Sequence, residues 1–287
     1  MTWAVDGKTI LVTGATRGIG LAASLALARH GATLILVGRD RERLAAALAA
    51  VRRQSSAEPS GYLADLSIQA SVRALAGSVL RDHPTIHVLI NNAGGVNKHR
   101  LLTADGLERT FATNHLGPFL LTTLLLDRVI ASAPARIVTV ASVGHRDGTL
   151  DFDDLGFERG YWIMKAYRRS KLANVLFASE LARRLAGTGV TSNSVHPGTV
   201  ATHIWSGAPL WTKPYIALFL RPRFIRVEAG AAAVVRLAAD PELDGVTGQY
   251  FEADRPVSPS ALAEDASLAR RLWEVSEALL SIGSATR

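Results

Sequence analysis

Short apolar runs alternate with longer amphipathic stretches along most of the chain. The first two apolar runs, residues 9–12 and 33–37, are each followed by a helical pattern, at 21–29 and 41–53. Runs that are apolar at every position predict strands buried on both faces. Further strand candidates lie at 61–64, 87–90, 136–140, 190–195 and 248–251. The alternation predicts an α/β fold, with a single doubly wound parallel sheet of about seven strands and helices on both faces.

The pattern changes after Val195. Residues 199–226 are rich in aromatic side chains, which run from Trp205 to Phe224. We interpret this segment as a loop-plus-helix excursion, because ligands of open parallel sheets bind beyond the carboxyl ends of the strands. Helical patterns return at 227–239 and 261–280. With no internal repeat and no dividing linker, the sequence predicts one domain over residues 1–287.

Composition and charge remove several classes of protein. The chain has 287 residues, of which 48% are hydrophobic and 20% charged, values typical of a soluble domain. It has no cysteine, so disulfides, thiol nucleophiles and cysteine-ligated zinc are excluded. The histidines show no ligand spacing, and we expect no metal. With neither a signal peptide nor an apolar run of bilayer length, the sequence predicts a cytoplasmic protein without a transmembrane segment.

The net charge of +7 raises the question of an anionic partner. The arginines are scattered in pairs rather than gathered in a basic tail or repeat, so we expect no nucleic acid to bind. Solvated helix faces and a phosphorylated cofactor account for the charge.

A glycine-rich turn lies between the first predicted strand and the first helix. It reads Thr13-Gly14-Ala15-Thr16-Arg17-Gly18-Ile19-Gly20. Glycines allow a sharp reversal and a close approach of the backbone to a pyrophosphate, and the helix then presents free N–H groups to phosphate. In the context of strand, turn and helix, this pattern predicts a dinucleotide site.

The end of the second strand separates NAD from NADP. An NAD site places a carboxylate there to bind the ribose 2′-hydroxyl, whereas this strand ends in Val37-Gly38-Arg39. The Arg39 guanidinium is suited to a 2′-phosphate, and Arg17 can reach the same group. We interpret Asp40 as the N-cap of the next helix. The sequence therefore favours NADP (NADPH) over NAD.

An ordered set of motifs closely resembles the short-chain dehydrogenase/reductase family over nearly the whole chain. After the glycine turn come Asp65-Leu66, Asn91-Asn92-Ala93-Gly94, Thr113-Asn114-His115-Leu116-Gly117, Ser142, Tyr167-Arg168-Arg169-Ser170-Lys171 and His196-Pro197-Gly198. Residues 113–121, 170–177 and 271–277 look most like the retinol dehydrogenase-like branch. The resemblance implies a Rossmann-type fold and hydride transfer between a nicotinamide and a lipophilic alcohol or aldehyde.

The resemblance also implies which residues contact the cofactor and which carry the chemistry. The implied cofactor-binding residues are Gly14, Thr16, Arg17, Gly18, Ile19, Gly20, Arg39, Asp65, Leu66, Asn92, Ala93, Gly94, Tyr167, Lys171, Pro197, Gly198, Val200 and Thr202. The implied catalytic residues are Asn114, Ser142, Tyr167 and Lys171. By the resemblance, Ser142 hydrogen-bonds the substrate oxygen, Lys171 binds the ribose hydroxyls, and Asn114 holds a water that completes a proton path.

Tyr167 is the predicted acid and base. It lies four residues before Lys171, so the two share a helix face. A free tyrosine has a pKa near 10, and we expect the lysine cation and the nicotinamide ribose to lower the pKa of Tyr167 by about 3 units, or roughly 4 kcal/mol. Tyr161 and Lys165 repeat the spacing, but only Tyr167 is followed in register by Ser170 and an apolar stripe.

Two other functions stay open from the sequence: a non-catalytic NADP-sensing protein on the same fold, and a nucleotide-sugar epimerase or dehydratase. The aromatic excursion predicts an apolar pocket for a bulky carbonyl or alcohol, with ordinary packing as the alternative. Its aromatics and arginines also allow peripheral contact with a membrane surface. A homodimer is an expectation that rests on the family resemblance alone.

Overall fold

The computed structural model describes residues 4–199 and 226–282. Its strands are β1 (Thr9–Thr13), β2 (Thr33–Gly38), β3 (Ser60–Leu63), β4 (Val88–Asn91), β5 (Ala135–Val140), β6 (Val190–His196), β7 (Tyr250–Glu252) and β8 (Arg255–Pro256). Its α-helices are α1 (Gly18–Arg29), α2 (Arg41–Arg52), α3 (Gln69–Asp82), α4 (Arg109–Phe111), α5 (Gly117–Ala131), α6 (Ile163–Arg184), α7 (Val227–Ala239), α8 (Ala261–Glu264) and α9 (Ala266–Leu279).

The strands form one sheet in the order β3-β2-β1-β4-β5-β6-β7-β8, parallel throughout except for the last pair. The expected doubly wound α/β fold is confirmed. The expected number of strands was too low by one, because β8 has only two residues and is too short to leave a pattern. The strand order reverses between β1 and β4, where such sheets bind their ligands.

Each face of the sheet is buried under its own layer of helices. Alternate residues of β1 point to opposite faces of the sheet. Leu11 therefore belongs to one hydrophobic cluster, and Ile10 and Val12 belong to the other. The first cluster joins the sheet to α3, α5, α6 and α9, and the second joins it to α1, α2 and α7. This two-sided burial explains why the strands are apolar at every position.

The C-terminal helical pattern is interrupted where the sequence predicted one helix over 261–280. Asp265 ends α8 and caps α9, accepting hydrogen bonds from the backbone N–H groups of Ser267 and Leu268. Helix α9 then buries Trp273 against Phe119, with ring centroids 4.7 Å apart, and against Phe177 at 5.9 Å. The last helix thereby closes the face formed by α5 and α6.

Residues 109–131 form three consecutive helical pieces. Between α4 and α5 lies a π-helical turn, Ala112–Leu116, which contains Asn114 and His115. Such turns widen a helix locally and turn a side chain out of the regular register. The helix of Tyr167 begins at Ile163.

His115 is buried among aromatic rings, and its burial lowers its pKa to about 3. Since an unfolded histidine titrates near 6.5, the unfolded chain takes up a proton below that pH while the folded chain does not. We expect the free energy of unfolding to fall as the pH drops from about 6.5 toward 3. This residue alone should contribute a loss of roughly 2–3 kcal/mol over the first two pH units.

Chemical denaturation of the wild type and of His115→Asn at pH 7.0 and 4.5 checks this expectation. The variant should be less stable at pH 7.0, and the difference from wild type should shrink at pH 4.5. A control, His99→Gln, alters an exposed histidine. A difference between wild type and His115→Asn that stays constant with pH would contradict the prediction.

Within residues 4–199 and 226–282, no helix combines the length and the apolar character needed to cross a membrane. The same stretches contain no cluster of histidine and carboxylate side chains that could hold a metal ion. The aromatic excursion falls at 200–225, outside the described residues.

Candidate active site

The carboxyl ends of β1 and β4 are joined through the hydroxyl of Thr13. Its Oγ1 donates to the Ile90 carbonyl at 3.2 Å and accepts from the backbone N–H groups of Asn92 and Ala93 at 3.0 and 3.1 Å. The Asn92 amide in turn donates to the carbonyls of Thr13 and Gly14, at 2.9 and 3.2 Å. These bonds fix the loop after β4 against the glycine turn.

The glycine turn has no room for a Cβ atom at Gly14 or at Gly20. Gly14 has a φ of +66°, and a Cβ on it would lie 2.9 Å from the Cα of Ala93. A Cβ on Gly20 would lie 2.4 Å from the Gly14 carbonyl oxygen, and one on Gly38 would lie 2.3 Å from Cγ2 of Thr16. The turn is therefore closed against both neighbouring strands, β4 and β2.

The first turn of α1 fits a phosphate group. Its N-cap residue is Arg17, whose side chain cannot accept a hydrogen bond, and no side chain caps the helix. The uncapped N–H groups at Gly18, Ile19 and Gly20 are the donors that a helix N-terminus offers to an anion. This turn and the loop at Asn92–Gly94 would hold the pyrophosphate and the nicotinamide half of a dinucleotide.

Three arginines gather beside this turn. The pKa of Arg17 is lowered by partial burial and by the positive charges of Arg43 and Arg39. Asp40, next to Arg39, caps α2 by accepting from the Arg43 backbone N–H at 2.9 Å. Guanidinium groups that repel one another at an exposed edge are stabilised by an anion. Arg43 was missed in the sequence, although its place one helical turn after Asp40 could have indicated it.

Asp65 and Leu66 follow β3 at the same edge. The Asp65 carboxylate accepts from the N–H and hydroxyl of Ser67, and these bonds, with Arg109 and Arg39, lower its pKa against the opposing effect of burial. Leu66 is buried in the core, so only its backbone is placed to meet a ligand. The structure thus holds Asp65 near the arginines.

Asn114 is fully buried in the π-helical turn. Its amide donates to the Gly95 carbonyl at 2.9 Å and to the Ser170 hydroxyl at 3.0 Å, and its Oδ1 accepts from the Gly95 N–H at 2.8 Å. Ser170 donates onward to the Tyr167 carbonyl at 2.7 Å. Asn114 therefore ties the loop after β4 to the helix that carries Tyr167.

Ser142 lies directly beyond β5 and caps a short 3-10 turn, Val143–Asp147, by accepting from the Gly144 N–H at 3.1 Å. Its carbonyl is held by His145, a buried residue that sequence reasoning left without a role. The His145 Nδ1–H donates to that carbonyl at 2.8 Å, while Nε2 accepts from the Ser260 N–H at 3.1 Å. Both ring nitrogens are satisfied only by the neutral ring, which fixes its tautomer.

Tyr167 and Lys171 share the inner face of α6, as their spacing predicted. The ammonium nitrogen of Lys171 lies 5.8 Å from the centroid of the Tyr167 ring. Lys171 is buried and donates to the Val140 carbonyl at 2.8 Å. A Cβ on Gly94 would come within 3.8 Å of the same ammonium, and one on Gly144 within 3.6 Å of the Tyr167 ring. The four predicted catalytic side chains thus converge at the ends of β4 and β5.

The electrostatics of the pair differ from the sequence-based expectation. Burial raises the pKa of Tyr167, and a side-chain hydrogen bond with Ser142 only partly opposes this effect. Burial also lowers the pKa of Lys171, to about 8, because the ammonium is desolvated. The expected lowering of the Tyr167 pKa is therefore not produced by the chain's own groups. At neutral pH the phenol carries its proton.

The alternative pair, Tyr161 and Lys165, lies elsewhere. The Tyr161 hydroxyl donates to the Asn97 carbonyl at 2.7 Å and faces Thr110, while Lys165 is exposed. This arrangement gives Tyr161 a structural role in the loop before α6. The aspartates at 151–154 likewise form a loop, in which Asp154 accepts from the N–H groups of Glu158 and Arg159.

The loop after β6 closes the far side of the site. Pro197 is buried, and Gly198 has a φ of +92°, a conformation that favours glycine. Burial lowers the pKa of His196 to about 4, with a smaller contribution from Lys171. The predicted cofactor residues Val200 and Thr202 lie outside the described residues.

Comparison with known proteins agrees with this geometry. Residues 8–212 match the family model of the short chain dehydrogenases. The chain is 42% identical over 294 residues to retinol dehydrogenase 14 of Homo sapiens, covering 97% of this chain and 88% of the relative. It is 40% identical over 284 residues to retinol dehydrogenase 13 of Homo sapiens, with 97% and 86% covered.

Two solved structures share the fold. An uncharacterised protein of Mycobacterium paratuberculosis is 33% identical with a TM-score of 0.78, covering 98% of this chain and 96% of that chain. The L-sorbose reductase of Gluconobacter frateurii, solved with NADPH and L-sorbose, has a TM-score of 0.74 at 21% identity, with 92% and 100% covered.

The chain belongs to the short-chain dehydrogenase/reductase family, and it is an oxidoreductase of the kind that uses a nicotinamide cofactor and acts on alcohol or carbonyl groups. Within that family it falls in the retinol dehydrogenase-like branch.

Proposed function

We propose that this protein is an NADP-dependent oxidoreductase that interconverts a lipophilic carbonyl compound and its alcohol, with Tyr167 as the acid and base. The convergence of Ser142, Tyr167, Lys171 and Asn114 at the ends of β4 and β5 carries the proposal. A carbonyl oxygen bound between the hydroxyls of Ser142 and Tyr167 would receive two hydrogen bonds. The bound nicotinamide supplies the hydride.

In the direction of reduction, the neutral Tyr167 phenol donates its proton to the substrate oxygen as charge develops there. The raised pKa keeps that proton in place at neutral pH. The buried Lys171 ammonium then stabilises the phenolate that remains, because opposite charges attract strongly where water is excluded. Ser142 is held in place by the 3-10 turn and by His145, so its hydroxyl needs no rearrangement to bind the oxygen.

The preference for NADP is supported by the group formed by Arg17, Arg39 and Arg43. A 2′-phosphate relieves the mutual repulsion of these groups and accepts charge-assisted hydrogen bonds from them. The carboxylate of Asp40, which follows β2, accepts from the Arg43 N–H as the cap of α2. It is therefore poorly placed to bind the 2′-hydroxyl of NAD.

The preference for a lipophilic substrate is supported by apolar side chains at the rim of the site. Val143, which directly follows Ser142, is 41% exposed, and Trp162, the N-cap residue of the Tyr167 helix, is 49% exposed. The Arg168 guanidinium lies over the Trp162 ring, 5.9 Å from its centroid, and pairs with Asp147 at 3.3 Å. Exposed apolar side chains beside a reactive centre favour an apolar ligand.

A series of straight-chain aldehydes tests the proposal. With NADPH, we expect kcat/KM to rise with chain length, and Trp162→Ser to remove much of that rise while changing acetaldehyde reduction little. Loss of a large apolar contact corresponds to about 2 kcal/mol, or roughly a 30-fold effect on the longest aldehyde. The measurement is NADPH oxidation followed at 340 nm.

The matched control for this series is Trp3→Ser, which lies before β1, far along the chain from α6. A preference for the shortest carbonyl compounds would contradict the lipophilic substrate but leave the reaction class intact. Absence of turnover with every carbonyl and alcohol would favour the non-catalytic NADP sensor instead. We further propose that it is a cytoplasmic enzyme of one domain that forms a homodimer and makes peripheral contact with a membrane surface.

A further inference from the structure

Lys171 makes its hydrogen bond to a carbonyl at the end of the sheet. Val140 is the last residue of β5, and its carbonyl accepts from the Lys171 ammonium at 2.8 Å. The Asn174 amide donates to the same oxygen at 3.3 Å. Asn174 lies one turn after Lys171 on the same helix face and is 3% exposed. One buried acceptor is thus shared by two donors, the second of which carries no charge.

Asn174 is connected in turn to the last helix of the described chain. Burial lowers the pKa of His115, and a hydrogen-bonding effect of the Asn174 side chain partly opposes this lowering. The Ser276 hydroxyl of α9 donates to the Leu272 carbonyl at 2.7 Å, so at 3.0 Å it accepts from the His115 Nε2–H. The remaining ring nitrogen, Nδ1, has no standard hydrogen bond within the described chain. Asn174 thus neighbours a ring that is itself anchored to α9.

The arrangement has a consequence for the chemistry in the proposed function. The ammonium has three N–H donors, one of which binds Val140, and it comes closest to a Tyr167 phenolate or to ribose hydroxyls when that bond can lengthen. A buried carbonyl left without a donor costs free energy, which would hold the ammonium in place. Asn174 already donates to that oxygen, so the ammonium can turn away without leaving it unpaired.

We propose that Asn174 is a positioning residue that frees the Lys171 ammonium to act on Tyr167 and the cofactor. This inference rests on the proposed function, since it concerns how the lysine reaches its working position. Asn174 is given no contact with the phenol or the substrate. It acts through the carbonyl that it shares with the lysine.

The test is Asn174→Leu, which keeps the branched shape and the number of side-chain heavy atoms but removes the amide N–H donors and the carbonyl acceptor. We expect kcat for alcohol oxidation with NADP⁺ to fall about 10-fold, and the rising limb of its pH profile to move up by about one unit. The limb moves because a lysine retained on Val140 stabilises the phenolate less. His196, the neighbouring ring, has a pKa of about 4 and does not titrate in that range.

Two further variants keep the test decisive. Asn193→Leu removes another buried asparagine, which lies in β6 and donates to the Val246 carbonyl at 2.7 Å. It should lower the melting temperature without moving the pH profile. Ser276→Ala removes the α9 hydroxyl that fixes the His115 ring beside Asn174. It should move the rising limb of the pH profile in the same direction by a smaller amount. It also serves if Asn174→Leu does not fold.

An unchanged pH limb in both Asn174→Leu and Ser276→Ala overturns the inference, whatever happens to the melting temperature. A lower kcat in Asn174→Leu with the wild-type profile also overturns it, because packing alone would then explain the loss. Failure of the proposed function is recognised separately, by full activity of Tyr167→Phe.

Discussion

Replacing Tyr167 by phenylalanine is expected to lower kcat/KM for carbonyl reduction by about 10²- to 10⁴-fold, the range associated with loss of a general acid. The ring should keep its position, because the substitution removes only the hydroxyl and leaves the ring between Gly144 and the Lys171 ammonium unchanged in shape. The dissociation constant of NADPH should change little, so the loss falls on kcat. Stopped-flow measurement of a single turnover, together with fluorescence titration of NADPH, separates the two quantities.

Tyr161→Phe is the matched control for this experiment. It removes one hydroxyl from the alternative tyrosine, whose partner is the Asn97 carbonyl, and should leave kcat/KM within a few-fold of wild type. If Tyr161→Phe were the inactive variant and Tyr167→Phe the active one, the assignment of the acid would be reversed. Full activity in both would leave the reaction without a tyrosine acid.

Replacing Arg39 by aspartate is expected to weaken NADPH binding by about 100-fold and to improve NADH binding. The substitution removes a charge-assisted hydrogen bond to the 2′-phosphate and adds a carboxylate beside it, and roughly 3 kcal/mol is the usual size of such a change. The new carboxylate would also stand where a ribose 2′-hydroxyl can donate to it. Isothermal titration with both cofactors measures the switch.

Arg53→Asp makes the same change of charge at the far end of α2 and controls for the altered net charge. It should leave the ratio of the two affinities as in wild type. A wild-type preference for NADH, or a ratio unaffected by Arg39→Asp, would contradict the assignment of the 2′-phosphate site. Arg43→Ala should then show a smaller effect in the same direction as Arg39→Asp.

The architecture was largely predictable because burial on both faces leaves continuous apolar runs such as those of β1 and β2. Elements that depend on few residues left no such signal. The two-residue strand β8 and the break at Asp265 were missed for this reason. The π-helical turn was missed because it is recognised by backbone geometry, while its sequence is that of an ordinary helix.

The predicted catalytic residues were found to converge because motif order places them after parallel strands, which end at one edge of the sheet. Their electrostatic state was not predictable in the same way. The pKa values of Tyr167 and Lys171 depend on how far burial excludes water, which no spacing of residues reveals. The role of Asn174 depends on the Val140 carbonyl, 34 residues earlier in the chain, and that of His145 depends partly on Ser260, 115 residues later.

The packing of α9 on α5 and α6 also affects the order in which the protein can become competent during synthesis. Trp273 and Ser276 are made late, after the ribosome has already released the strands and the glycine turn. A nascent chain halted before residue 266 would expose the rings of Phe119 and Phe177 to water and leave His115 without its hydroxyl partner. Assembly of the reaction centre is therefore tied to translation of the distal helix.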